Sequence, residues 1–109
     1  MGDRWDRDRL LETSGEFMKA RILLTAAELD LFTKLKHGPR TIQSLCQDEG
    51  WDERGLRILL DALAAMGLVI REDNGSYSID RSTDELLASS GKESVLPMIL
   101  HRVRMWRTW

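Results

Sequence analysis

From Phe17 to Leu35 apolar residues recur three and four positions apart: Phe17, Ala20, Leu24, Ala27, Leu31 and Leu35, with Leu23, Leu29 and Phe32 widening the stripe. That period predicts one long amphipathic helix with two sides to bury. Thr13 and Glu16 stand in capping-box spacing at its start, and Gly38-Pro39 ends it. The twelve residues before it alternate acid and base around Trp5 and read as a short helix or an arm.

A second, short helix follows, capped by Thr41, with Ile42, Leu45 and Cys46 inward and Gly50 as its stop. Asp52 caps a third helix, with Trp51 and Leu56 in hydrophobic-staple positions and Gly67 at its close. Leu56, Leu59, Leu60, Leu63 and Met66 form its core stripe, while Ile58, Ala62 and Ala65 leave the opposite side apolar.

The period then changes from helix to strand. In LVIREDNGSYSID, Asn74-Gly75 separates two extended runs, which predicts a hairpin with a two-residue type I′ turn. That register opposes Asp73 with Ser76, Glu72 with Tyr77 and Ile70 with Ile79, and it places Leu68, Ile70, Tyr77 and Ile79 on one face. Ser82 and Glu85 form a capping box before a brief helical turn, SSGKES is a linker, and Ser94 starts a last helix with Pro97 in its first turn.

The order helix, short helix, helix, strand, turn, strand is a winged helix-turn-helix. The fold class is mostly α (α+β), with a β-hairpin wing plus N- and C-terminal helices suited to an interface. The domain reading is an arm or short helix over 1–12, the winged-helix unit over 13–90, and a linker with a final helix over 91–109.

Charge tests the usual use of this architecture, DNA reading. Between Arg21 and Arg81 eight basic residues face ten acidic ones. The would-be recognition helix opens DERG and the wing tip is EDNGS, so carboxylates stand where phosphates would approach. A winged-helix transcription regulator is therefore the alternative function, carried by fold alone. The full chain of 109 residues has a net charge of −2, which gives no global pull toward nucleic acid or anionic lipid. Residues 92–109 carry four basic residues against Glu93, so a membrane-surface helix is a minor reading, and no membrane partner is expected.

Candidate chemistry is sparse. The glycines are scattered singly, with no phosphate cradle of the GxGxxG or GxxxxGK type. Cys46 is the sole cysteine and is expected to be a buried, inert thiol suited to a reducing cytoplasm. His37 and His101 read as surface or interface residues. No catalytic, cofactor-binding or metal-ligating residue is assigned within the chain.

The run from ARILLTAAELDLF through LRILLDALAAMGLV to the wing, the linker and the Trp-containing helix resembles the N-terminal dimerisation domain of class I S-adenosylmethionine-dependent O-methyltransferases. The resemblance implies a homodimer. It also implies a parent enzyme whose catalytic domain, holding S-adenosylmethionine and the catalytic base, follows the last helix and is absent from these 109 residues. On that basis SVLPMILHRVRMWRTW is the start of a bridge helix, and the parent methylates a hydroxyl of a small, aromatic molecule. The surplus apolar surface nominates Phe17, Leu23, Leu24, Phe32, Val95, Ile99, Val103 and Trp106 for the dimer interface. Phe17, Met18, Arg21, Met105, Trp106 and Trp109 are nominated for a contribution to the acceptor pocket, although core packing is the plainer expectation for Phe17 and Met18 taken singly.

Overall fold

A computed structural model of the chain describes residues 4–108. Six helices and one two-stranded antiparallel sheet appear among them, in the order α1 (Arg7–Glu28), α2 (Leu31–Lys34), α3 (Ile42–Glu49), α4 (Glu53–Ala65), β1 (Ile70–Arg71), β2 (Tyr77–Ser78), α5 (Arg81–Leu87) and α6 (Leu96–Arg107). The mostly helical fold with a hairpin wing is the one expected.

The first helix departs from expectation at both ends. It starts seven residues earlier than predicted because Asp6, not Thr13, is its cap: the Asp6 carboxylate accepts from the Arg9 amide at 2.8 Å. Of the two readings of 1–12, an arm or a short helix, the segment is helical from Arg7 onward and continuous with the long helix. The helix also stops sooner, since Asp30 adopts a left-handed conformation at φ 52° and breaks the run. Its carboxylate accepts from the Thr33 hydroxyl at 2.6 Å, a local bond that holds the turn. Redirected in this way, α2 and the turn after it carry Leu31, Phe32 and Leu35 into the core, each at most 1 % exposed.

The middle helices follow their capping signals. Thr41 accepts from the Ser44 amide, Gly50 closes α3 in the left-handed region, and Asp52 accepts from the Gly55 amide at 2.7 Å. Leu45 from α3 and Leu56, Leu60 and Leu63 from α4 meet Phe32 and Tyr77 in one core cluster, with Trp51 and Leu59 packed on its edge.

The wing departs from expectation by one residue. Ile70 pairs with Ser78 and Arg71 with Tyr77. The Gly75 amide donates to the Glu72 carbonyl and the Glu72 amide to the Ser76 carbonyl, which makes the loop Asp73-Asn74-Gly75. This is a three-residue turn with glycine in the left-handed position (φ 87°), and the two-residue type I′ turn fails because Asn74 has no positive φ. Instead Asn74 uses its side-chain oxygen to accept from the Ser76 amide at 3.0 Å. A slip of one residue flips the first strand. Val69 is buried while Ile70 is exposed, so Ile70 does not line the inner face as predicted, whereas Leu68 is half-buried against the core.

Tyr77 fastens the sheet to the helices. Its amide and carbonyl pair with the carbonyl and amide of Arg40, adding an isolated bridge beside β2. Its hydroxyl donates to Asp61 on α4 at 2.7 Å. Asp80, not Ser82, caps α5 by accepting from the Thr83 amide at 2.8 Å. Backbone hydrogen bonds on that carboxylate hold its pKa below the ordinary aspartate range. The last helix begins at Leu96, where the Ser94 hydroxyl accepts from the Leu96 amide, and returns to lie against α1.

Candidate functional site

The feature that stands out is the α1–α6 pair. With 22 residues α1 is about 33 Å long, whereas the 12 residues of α6 reach about 18 Å. Helix α6 therefore covers only the later part of α1. Where the two meet, Leu24 and Val103 are buried. Beside that contact runs a groove of about 710 Å³ lined by Ala20, Leu23, Leu24, Ile99, Arg102, Met105 and Trp106. Earlier on α1, Leu10, Leu11, Phe17 and Met18 each stand more than half exposed. Leu10 and Phe17, and likewise Leu11 and Met18, are seven residues apart, so they extend down the helix the apolar side that continues through Ala20 and Leu24.

One end of the groove is polar and ordered. The Arg21 guanidinium donates to Thr25 at 3.2 Å and to Glu28 at 2.7 Å, and it lies 5.5 Å from the Trp106 ring centroid. The other oxygen of Glu28 accepts from Arg107 of α6. Thus Arg21, Trp106 and Met105, nominated separately for an acceptor pocket, come together at one groove end. Phe17 and Met18 lie beyond it on the exposed part of α1, so core packing does not explain them. Trp109 lies outside the described residues.

The interface nominations divide in the same way. Phe17, Val95 and Trp106 are exposed, and Leu23 and Ile99 are half-buried along the groove. Phe32 is 0 % exposed in the protomer core and Val103 is 3 % exposed, so these two present no surface to a partner in this conformation, while Leu24, 7 % exposed, reaches the surface only in the groove lining. Periodicity assigned them to a stripe correctly but could not say that α6 and α3–α4 already cover it. Leu10, Leu11 and Arg102 were missed. The heptad spacing of Leu10 and Leu11 to Phe17 and Met18 is the available signal, masked by setting 1–12 apart from the long helix as an arm or short helix.

A second recess of about 420 Å³ lies among Thr25, Leu29, Trp51, Gly55, Leu56 and Leu59. Cys46 is buried; desolvation, reinforced by the Glu53 and Asp52 carboxylates, pushes its thiol pKa up and away from reactivity. His37 and His101 are both exposed. At the wing, Arg40 is paired with Asp48 at 2.6 Å and Arg71 with Asp61 at 3.7 Å, which neutralises cations that could meet a phosphate. No helix among the described residues is long and apolar enough to cross a membrane.

A winged helix carrying a long helix whose apolar side is only partly covered has the form of an association module. The chain belongs to the O-methyltransferase dimerisation domain family, which it matches over residues 11–89. It is 40% identical over 78 residues to the tetracenomycin polyketide synthesis 8-O-methyl transferase TcmO of Streptomyces glaucescens, a match covering 72% of this chain and 23% of TcmO. In three dimensions it superposes on an O-methyltransferase family protein from Burkholderia thailandensis with a TM-score of 0.86 at 25% identity, over 97% of this chain and 31% of the other. Human N-acetylserotonin methyltransferase in complex with SAM gives a TM-score of 0.82 at 25% identity, over 97% of this chain and 33% of that one. The chain spans about a quarter of the length of the curated relatives it matches.

Proposed function

We propose that this chain is the homodimerising portion of an S-adenosylmethionine-dependent O-methyltransferase acting on a small aromatic hydroxyl compound. One observation carries the reading: the family match sits on a helix whose apolar side runs on past its internal partner. Leu10, Leu11, Phe17 and Met18 are the uncovered extension, and the groove beside Leu23 and Ile99 is the adjoining hollow. A twofold-related copy offers the same extension and the same hollow, so each can cover the other. Residues 13–90, together with residues 7–12 that continue α1, then form the dimerisation unit, and 91–109 lead toward the part of the enzyme that binds the cofactor. In this reading Arg21, Met105 and Trp106 contribute to the acceptor pocket, where an aromatic ring would meet them edge-on or by cation–π contact, and the Arg21–Trp106 approach supports it. The buried thiol of Cys46 suits a reducing cytoplasm.

The relatives support the chemistry by name, since TcmO is an O-methyl transferase and the human structure holds SAM. The acidic helix α4 entry and wing tip favour this reading over the transcription regulator, and no nucleic-acid or membrane partner is proposed. Two tests apply. The reading frame beyond Trp109 should encode a glycine-rich strand-loop-helix, and an immediate stop codon there would contradict the parent enzyme. Duplex DNA at low salt should show no mobility shift with the chain, and a sequence-dependent shift would favour the regulator.

A further inference from the structure

Glu28 sits in the last turn of α1, where the helix dipole disfavours negative charge. Its place there is not explained by helix stability. Its two carboxylate oxygens are divided between two helices: one accepts from Arg21 of α1 at 2.7 Å, the other from Arg107 of α6. Arg21 in turn holds Thr25 and faces the Trp106 ring. The apolar anchors of α6 are Leu96, Ile99 and Val103, and beyond Val103 every described residue of the helix is exposed. The last turn of α6, which forms one wall of the groove through Met105 and Trp106, is therefore held by charge rather than by burial.

We infer that Glu28 is a positioning residue, an electrostatic clamp that fixes the C-terminal turn of α6 against α1 and so sets the width of the groove between them. Without the carboxylate, Arg21 and Arg107 lose the one partner they share. The turn then opens, and Trp106 leaves the guanidinium. Because the Glu28 side chain is 26% exposed and Arg107 65%, salt screens the clamp, and the groove wall loosens as ionic strength rises.

The test is amide hydrogen exchange, read by NMR for residues 103–107, in the native chain and in Glu28→Gln. Glutamine keeps the shape and loses the charge. Exchange in Glu28→Gln should be about threefold faster than native at low salt, a size ordinary for a partly exposed ion pair. The native rate should rise toward the variant's as NaCl goes to about 1 M, while the variant stays flat. Arg107→Gln, at an exposed helix end, should behave alike, and the double variant should add nothing further. Repeating the series in a Phe17→Asp background separates the clamp from dimer formation, because the clamp is internal to one protomer. Equal exchange in native and Glu28→Gln, a native rate indifferent to salt, or fully additive single variants would each overturn the assignment.

Discussion

Tyr77 offers a sharp check because one hydroxyl joins the wing to α4. Tyr77→Phe keeps the ring, 1 % exposed in the core, and deletes only the bond to Asp61. A hydrogen bond to a charged acceptor contributes about 1.5–3 kcal/mol, but the Asp61 side chain is 42% exposed and water can replace the phenol. The expected loss at neutral pH is therefore about 1 kcal/mol. Burial, then the hydrogen bond and charge of Asp61, push the Tyr77 pKa above its ordinary value of 10.0. A raised folded pKa means stability that is fully present below 10.0 and is lost as pH rises through the folded value. Phenylalanine carries no such liability. Urea unfolding of the two proteins from pH 7 upward should thus show native ahead at neutral pH, the gap closing above pH 10.0, and Tyr77→Phe ahead beyond the crossing. Tyr77 is the single tyrosine, so absorbance at alkaline pH follows its ionisation directly. A gap that does not change with pH, or a folded tyrosine titrating at its ordinary value, would refute the reasoning.

Three further outcomes follow from packing and capping. Phe32→Ala should cost about 3–5 kcal/mol in chemical denaturation as a core deletion, whereas Phe17→Ala, on the exposed part of α1, should leave the stability of the dissociated protomer within about 0.5 kcal/mol. Gly91→Ala should destabilise by about 1–3 kcal/mol, because a Cβ there would lie 2.3 Å from the Glu85 carbonyl oxygen; a thermal melt unchanged from native would contradict that approach. Asp80→Ala should lose the α5 cap and lower the midpoint of chemical denaturation at neutral pH. Since the folded pKa of Asp80 is depressed, that deficit should be present above about pH 3.8 and vanish as acid protonates the native carboxylate.

The parts of the fold that were legible in the sequence are those set by local chemistry. Thr41, Gly50 and Asp52 cap where they were expected to, because each needs only its own neighbours to do so. The errors arose where two local signals competed. Thr13 and Glu16 match a capping box, yet Asp6 lies upstream of a run with no proline, the helix passes through Gly15, and it starts at the earlier cap. Asn74-Gly75 signals a tight turn, but the Asn74 side chain satisfies the Ser76 amide and lets glycine alone take the left-handed position, which moves the register by one. Asp30 in a left-handed conformation was invisible to periodicity, since Leu31, Phe32 and Leu35 keep helical spacing across the break. For the candidate site, surplus apolar surface on the first and last helices was readable. Which part of it is consumed internally was not, because that depends on α6 folding back to bury Leu24 and Val103. The Glu28 clamp joins residues 79 positions apart, beyond any local pattern.

If a second copy of the chain covers the exposed extension of α1, the oligomeric state must show it. Sedimentation equilibrium of the native chain and of Phe17→Asp measures it directly. The native chain should be dimeric at micromolar concentration, and the variant, which removes an apolar contact of about 1.5–3 kcal/mol from each protomer and inserts a charge, should dissociate at least a hundredfold more easily. A native chain that stays a well-folded monomer at high micromolar concentration, or a dimer indifferent to Phe17→Asp, would contradict the account.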